Sequence, residues 1–480
     1  MSDLELNSSD LIAINDESAI ELPFCINTGS SRLYCSQLLR LLAGKRLVCK
    51  GSYQGQTVLL KIFFGASYKR RCQRELDGVR LIQREGINTP RLIASNIDHQ
   101  AELAYIVFEY IDEVESLDER LKKSSTIEQR LTVFKQALEL IAQMHAASIY
   151  QRDVHLDNFL LDDLTVYLID GDQIEREAGD NGLADEFAVK NLAMFFTQLY
   201  AWEHSHIEPL LDFYVESRGQ DFSTSFYQDI KRQLLEYKQW REKKYIEKKV
   251  FRRCSAFDVI KNWQQYCVYS REFDQASVEQ FIDNPDKAIA QGEVLKSGRT
   301  AIVVKLELNG QNYVVKRYNK KSHLHQFARS LMPSRAAVSW KNGHLLEFNH
   351  IPTAKPLLML ENRWAAFRGR SYILTEYIEG CHAFDYFESN QPFDEREAVA
   401  VKINTLVKHL HLSGFVHGDL KAHNIWIKGN EPILIDLDGM QKDSSKDATM
   451  DDWQRLYREL ANSDIKQALF AGINLAELSE

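Results

Sequence analysis

At 480 residues the chain exceeds what one hydrophobic core usually supports, so two or three domains are expected. A composition of 44% hydrophobic and 26% charged residues excludes a disordered or fibrous chain. The net charge of −9, from 59 basic and 68 acidic residues, excludes a nucleic-acid binder working through a global basic field.

Residues 1–25 mix Ser, Asp, Asn and Glu with scattered apolar positions and read as a loose lead-in. Asp3 and Glu5 stand where a secretory signal carries Lys or Arg. From Arg46 the pattern becomes strand-like: 46–53, a Gln54-Gly55-Gln56 turn, then 57–63, rich in Val, Leu and Ile and carrying Lys61. The preceding Leu42-Ala43-Gly44-Lys45 is a short loop with one glycine. A helix follows, with apolar Cys72, Leu76, Val79 and Ile82 on one stripe and Glu75 inside it, ending toward Gly86-Ile87-Asn88-Thr89-Pro90. A strand over 104–111 closes on Phe108-Glu109-Tyr110. A long helix over 128–145, with Leu131, Phe134, Leu138 and Ile141 in register, leads to Tyr150-Gln151-Arg152-Asp153-Val154-His155-Leu156-Asp157-Asn158 and on to Ile169-Asp170-Gly171-Asp172. Helices are then expected from Asp185 to about Tyr266.

The polar, turn-forming stretches Ser270-Arg-Glu-Phe-Asp-Gln275 and Asp283-Asn-Pro-Asp286 predict a linker. The order then repeats. A hairpin over 301–308 and 311–318 carries Lys316 and follows the loop Lys296-Ser297-Gly298-Arg299. Leu374-Thr375-Glu376-Tyr377 repeats the segment around Glu109. Phe415-Val416-His417-Gly418-Asp419-Leu420-Lys421-Ala422-His423-Asn424 and Ile435-Asp436-Leu437-Asp438-Gly439 repeat the loop and the strand end. Asp153, Asn158, Asp170 and Asp172 each lie 266 residues before Asp419, Asn424, Asp436 and Asp438. The expected domains are a lead-in (1–25), a first domain (26–270), a linker (271–290) and a second domain (291–480), whose helical lobe is shortened because only forty residues follow Met440. The seven cysteines show no close pairing, so neither a disulfide framework nor a zinc site is indicated. No apolar run approaches the roughly 20 residues of a membrane span. A cytoplasmic protein is expected.

An acid and an amide five positions apart, followed by an acid at the end of a second apolar run, is the pattern of a kinase catalytic loop and its metal-binding strand. Phosphoryl transfer asks mainly for positioning and charge neutralisation. Lys61 or Lys316 on the third strand would hold nucleotide phosphates, with Glu75 orienting Lys61, and Glu109 and Glu376 mark where the nucleotide would meet the junction of two lobes. Asp153 or Asp419 would take or orient the proton of the attacking hydroxyl, with Lys421, or His155 in its place, meeting the migrating phosphoryl group. Asn158 and Asn424, with Asp170, Asp172, Asp436 and Asp438, supply hard oxygen ligands suited to Mg2+. Taken singly, a strand Lys, a helix Glu and a His-Gly-Asp turn are ordinary surface or structural residues. The ordered set, twice, is what points to two tandem protein-kinase-like bilobal domains of α+β class.

On these residues both units resemble the bacterial lipopolysaccharide core kinases, the heptose and Kdo kinase family, over roughly residues 35–460. His417-Gly418-Asp419-Leu420-Lys421-x-x-Asn424, Gln151-Arg152-Asp153-x-His155-x-x-Asn158, the two Ile-Asp-x-Asp segments, and Ile87-Asn-Thr-Pro90 with Ile351-Pro-Thr353 carry the resemblance. It implies use of ATP and Mg2+, transfer of the γ-phosphate to a sugar hydroxyl of the lipopolysaccharide inner core or a lipid A-core acceptor, and peripheral contact with the inner membrane. Two departures matter. The place of Glu75 falls on Ser339 in the second unit, and Gln151 replaces the usual loop His in the first. The first unit, with the complete set, is therefore the expected catalytic one. A protein kinase and a tandem nucleotide-binding scaffold remain as alternatives. Arg241-Glu-Lys-Lys-Tyr-Ile-Glu-Lys-Lys-Val-Phe-Arg-Arg253 reads either as a solvated helix end or as a site for an anionic glycolipid or leaflet. Lys320, Lys321, Arg329 and Arg335 form a weaker patch.

Overall fold

The computed structural model describes residues 4–14, 19–29, 31–163, 165–177, 182–319, 332–364, 367–460 and 463–474. Lys320, Lys321 and Arg329 lie outside them. The chain divides into two compact units: residues 1–198 with 205–237, and residues 199–204 with 238–480.

The first unit is built on a seven-stranded sheet in the spatial order Leu4–Glu5, Phe24–Asn27, Arg32–Leu42, Arg46–Tyr53, Gln56–Phe63, Leu103–Glu109, Leu92–Asp98. Its central strands are buried on both faces. Val58, Leu60 and Ile62 point to one core and Leu59 and Phe63 to the other, as the two-residue period of a strand requires. Helix Tyr68–Arg84 covers the inner face with Cys72, Leu76 and Val79. The outer face needs a cover too, and the stretch read as a loose lead-in provides it. Helix Ser8–Ala13, closed by an Asn7/Asp10 capping box, places Leu11 in the outer core beside Ile20 and Phe24. Below the sheet, helix Ile127–Ala146, capped by Thr126 and Gln129, buries Phe134, Leu138 and Ile141 and leads into strand Ile149–Gln151 and the segment of Asp153 and Asn158.

The second unit repeats this plan on a seven-stranded sheet in the order Phe257–Lys261, Gln265–Ser270, Pro356–Trp364, Phe367–Glu376, Gln311–Tyr318, Ala301–Leu308, Glu293–Ser297. Two expectations are corrected here. Residues 257–270, expected in the first domain and helical to about Tyr266, are a hairpin hydrogen-bonded into this sheet, Cys267 opposite Leu360 and Val268 opposite Met359. The division between the units accordingly falls at Tyr237/Lys238. The expected linker 271–290 holds helices Gln275–Asp283 and Pro285–Gln291, whose Val278, Phe281 and Ile289 cover the outer face of the sheet with Val304, Leu306 and Val315. The polar residues that looked like linker are caps: Asp274 accepts from the Ser277 amide at 2.9 Å, Asn284 accepts from the Lys287 amide at 3.0 Å, and Pro285 opens its helix.

After strand Gln441–Lys442 the described helices are Lys446–Leu460 and Lys466–Leu469, against Asp185–Phe196, Ile207–Arg218 and Thr224–Tyr245 after the matching strand of the first unit. The shortened lobe is completed by residues from earlier in the chain. Trp202 stacks on His409 with ring centroids 3.9 Å apart, and Ile246 packs against the core of Leu410, Phe415, Trp453 and Leu456.

Candidate active site

In the first unit Lys61 lies opposite Val48 and Ile106 and is 8% exposed, because both faces of its strand are covered. Its ammonium pairs with Oε1 of Glu75, a carboxylate wholly removed from solvent. Charges buried this deeply need further hydrogen bonds. The Gly171 amide supplies one to Oε1 at 3.3 Å, and Nη1 of Arg46 stands 3.7 Å from Oε2. Asp170 follows strand Thr165–Leu168 with φ +72, a left-handed conformation costing a non-glycine residue about 1–3 kcal/mol. The surrounding bonds hold it there: the Ile169 amide donates to Asn158 O at 2.9 Å, and Gln151 Nε2 donates to Ile169 O at 3.1 Å. Gln151 thereby fixes the strand end from the position where His417 Nε2 reaches Ile435 O at 3.0 Å in the second unit. The replacement of the loop His keeps this bond.

One oxygen from each of Glu75, Asp170 and Asp172 lies within 4.8 Å of the others. Glu75 Oε2 and Asp170 Oδ1 are buried and, among the described residues, receive no hydrogen bond. Buried acceptors left this way are costly, and a hard cation is what they suit. Asn158 donates its amide nitrogen to Gln151 Oε1 and Asp153 O, both at 3.1 Å, which leaves its oxygen as the end able to ligate. The acid set fits Mg2+. Asp153 is 64% exposed, and His155 Nε2 lies 3.0 Å from its Oδ1.

The second unit brings the same residues together with a different charge pattern. Asp419 is half exposed and pairs with Lys421 Nζ at 2.6 Å, and Asn424 Nδ2 donates to Asp419 O at 2.7 Å and Oδ2 at 3.2 Å. Ser339, in the place of Glu75, hydrogen-bonds to the Tyr318 hydroxyl at 2.8 Å. Lys316, with no helix carboxylate to meet, pairs with Asp436 and lies 3.5 Å from Asp438, which also holds Arg335 at 2.5 Å. Burial alone would raise the Asp436 carboxyl; the charge and hydrogen bond of Lys316 outweigh it and hold the group below its ordinary range. Asp436, like Asp170, has positive φ, +63.

Glu109 and Glu376 are not gathered into either site by their side chains. Glu109 Oε1 accepts from the Arg91 amide and Glu376 Oε1 from the Lys355 amide, both at 2.9 Å, so these carboxylates tie the starts of neighbouring segments to the sheet. Two residues outside the sequence-derived set matter. Arg46 faces Glu75 and Asp170. Asp452, fully buried, accepts from the amides of His417 at 2.6 Å and Gly418 at 3.0 Å and so fixes the second loop. No local motif marks either; cross-strand register finds the first and helix docking the second.

The model of the lipopolysaccharide kinase (Kdo/WaaP) family matches residues 62–206 and again 280–473, together well over half of the chain. The chain belongs to the lipopolysaccharide kinase (Kdo/WaaP) family. It carries the family's kinase-like α+β fold twice, and it is an ATP-dependent phosphotransferase of kinase type. This member of the Kdo/WaaP family is also similar to the KEOPS complex subunit Bud32 of Pyrococcus abyssi, 29% identical over 191 residues that span 40% of this chain and 80% of that protein. It is 24% identical over 168 residues to the mitosis inhibitor protein kinase SWE1 of Candida albicans, spanning 33% of this chain but 14% of that protein. Among solved structures it matches WaaP in complex with acyl carrier protein, with 16% identity and a TM-score of 0.31, over 43% of this chain and 86% of that one. Among the described residues no helix is long and apolar enough to cross a membrane.

Proposed function

We propose that the first unit of this Kdo/WaaP-family kinase transfers the γ-phosphate of ATP to a sugar hydroxyl, heptose or Kdo, of the lipopolysaccharide inner core. The observation that carries the reading is the buried Lys61–Glu75 pair beside Asp170 and Asp172, with two carboxylate oxygens that receive no hydrogen bond among the described residues. Lys61, aimed by Glu75, holds the nucleotide phosphates. Asp170, Asp172 and Asn158 would hold Mg2+, which supplies charge neutralisation on the phosphates when bound. Asp153 orients the acceptor hydroxyl and takes its proton as the new P–O bond to the acceptor forms and the bond from the γ-phosphorus to the bridging oxygen breaks, releasing ADP with that oxygen. His155, against Asp153, fixes that carboxylate and stands where Lys421 stands beside Asp419. In the second unit Asp419 and Lys421 offer the same pair, while Asp436 and Asp438 are already engaged by Lys316 and Arg335.

The sugar acceptor is drawn from the family, and an anionic glycolipid acceptor is supported by the basic segment 241–253 in a chain of net charge −9. The same segment suits peripheral contact with an anionic leaflet on the cytoplasmic side. Radiolabelled ATP incubated with purified core glycolipid tests the reading, with wild type, Asp153→Asn, Asp419→Asn and the double variant compared. Asp153→Asn is expected to lose about 10²–10⁴-fold in transfer and Asp419→Asn to retain it. Label in the glycolipid at the level of the double variant would refute the reading. Label in protein Ser or Thr would favour a protein kinase, and nucleotide binding without transfer to any acceptor would favour a nucleotide-binding scaffold.

A further inference from the structure

Arg46 stands in an unusual relation to the first site. It opens strand Arg46–Tyr53 directly after the turn in which Gly44 has φ +67 and the Lys45 amide bonds to Leu42 O at 3.0 Å. Arg46 lies opposite Phe63, and Lys61 lies opposite Val48. Directly paired residues, and residues two apart, share a face, so Arg46 projects on the Lys61 face, at its phosphate-loop end. The turn's main chain is pinned by Arg71, which donates to Lys45 O at 3.2 Å and to Phe64 O. The backbone is held and the side chain is what can move.

That side chain is 14% exposed and its Nη1 lies 3.7 Å from Glu75 Oε2 and 3.6 Å from Asp170 Oδ1. Charge-assisted guanidinium–carboxylate bonds close to about 2.7–2.9 Å. At the observed separations Arg46 neutralises the buried Glu75 and the part-buried Asp170 without hydrogen-bonding either, and Glu75, wholly buried, keeps an oxygen with no donor among the described residues. The matching position of the second unit carries a different residue. Lys316 lies opposite Val303, so the register of Arg46 falls on Ala301, opposite Tyr318. There the acids bind their cations closely instead, Asp436 through Lys316 and Asp438 through Arg335.

We propose that Arg46 is the alternating cation of the first unit's phosphate site. Without nucleotide it neutralises Glu75 and Asp170; with a nucleoside triphosphate whose metal Asp170 would hold, it releases them and turns its guanidinium to the phosphate oxygens. This rests on the reading of the first unit as the nucleotide site. A guanidinium held by charge alone yields to a hard divalent cation that would bind Asp170 directly, and the phosphates that accompany that cation are the nearest new anions.

The full chain carrying Asp436→Asn, which disables the metal set of the second unit, serves as parent for the test. Mn2+ binding without nucleotide is read by electron paramagnetic resonance, and ATP and adenosine binding by equilibrium dialysis. Arg46→Gln is expected to bind Mn2+ alone about tenfold more tightly, because the competing charge is gone, to lose about tenfold or more in ATP affinity, and to leave adenosine affinity unchanged. Unaltered Mn2+ and ATP affinities, or equal losses for ATP and adenosine, overturn the inference. Should Arg46→Gln fail to fold, Arg46→Lys decides, since it keeps the charge but not the fork: ATP affinity equal to that of the parent overturns the inference. A parent that binds neither Mn2+ nor ATP overturns the nucleotide-site reading and this inference with it, whereas a parent that binds both and is indifferent to Arg46→Gln overturns the inference alone.

Discussion

Gly78→Ala is the sharpest single test of how the first site is assembled. Gly78 lies on helix Tyr68–Arg84, one turn after Glu75, where the helix crosses Gly171, the residue between Asp170 and Asp172. A Cβ on Gly78 would meet Gly171 O at 1.8 Å and Gly171 C at 2.6 Å, where ordinary contact begins at 3.4 Å. Both are backbone atoms and cannot rotate away. The helix and the Asp170–Asp172 segment must therefore part by about 1.6 Å, the shortfall between those distances. That displacement breaks the 3.3 Å bond from the Gly171 amide to Glu75 and loosens the Lys61–Glu75 pair from the acids. Overpacking of this kind costs about 1–3 kcal/mol, and misplacing a reacting geometry by about 1 Å can cost on the order of 10²-fold in rate. Urea unfolding followed by far-ultraviolet circular dichroism gives the first quantity, and phosphate transfer from labelled ATP gives the second. Asn342 takes this position in the second unit, its amide donating to Leu437 O at 2.8 Å and Met440 O at 3.0 Å, so that a side chain bridges what Gly78 leaves to direct contact. A Gly78→Ala chain with wild-type midpoint and wild-type transfer would refute the claim that this backbone contact sets the site.

Gln151→His is expected to keep the bond to Ile169 O but lose that from Asn158, at about 0.5–1.5 kcal/mol, and Gln151→Ala to lose both, a difference that urea midpoints resolve. His145 is held neutral in the fold, its pKa pushed by burial to about 3 from an ordinary 6.5. The unfolded chain binds a proton below about 6.5 that the folded chain refuses until about pH 3, so stability is intact above that window and falls within it, by about 1.4 kcal/mol per pH unit. Urea titrations between pH 7 and 4 should show this slope, and His145→Gln should remove that share of it.

The strip from Asp153 to Asp170 was legible because its geometry is local. Asp153, Asn158 and Asp170 keep one spacing in both units, since a loop, a 3₁₀ turn and a two-stranded ribbon connect them in each. Hairpin and helix limits were close for a similar reason: the strand expected at 46–53 is Arg46–Tyr53, and the helix expected at 128–145 is Ile127–Ala146. What failed was any judgement of what covers the outer face of each sheet. Ser, Asp and Asn mark linkers and helix caps alike, and only the burial of Leu11, Val278 and Phe281 tells the two apart. Arg46 carries no signal in the sequence, because a strand-opening Arg is ordinary until cross-strand register sets it beside Lys61 and, through the fold, Asp170. Position alone suggests a binding role for Glu109 and Glu376, whereas their side chains hold backbone amides.

The two units differ by more than the loss of one glutamate, and a reconstruction shows why. Restoring the acid alone, Ser339→Glu, would put a carboxylate where Ser339 now bonds to a buried Tyr318 hydroxyl at 2.8 Å. The first unit has Phe63 at the register of Tyr318. The new carboxylate would thus compete with Lys316 for space already filled, while Lys316 keeps Asp436 as a ready partner. Ser339→Glu is therefore expected to destabilise the chain by about 1–3 kcal/mol and to leave ATP binding by the second unit unimproved. Removing the hydroxyl as well, in Ser339→Glu with Tyr318→Phe, makes room for a carboxylate to meet Lys316 as Glu75 meets Lys61 and frees Asp436 for metal. In a chain whose first unit is disabled by Asp170→Asn, equilibrium dialysis with MgATP should show tighter binding for the double variant than for either single one. Tighter binding by Ser339→Glu alone would refute this, and would mean that the missing glutamate, not the tyrosine and the Lys316–Asp436 pair, sets the second unit apart.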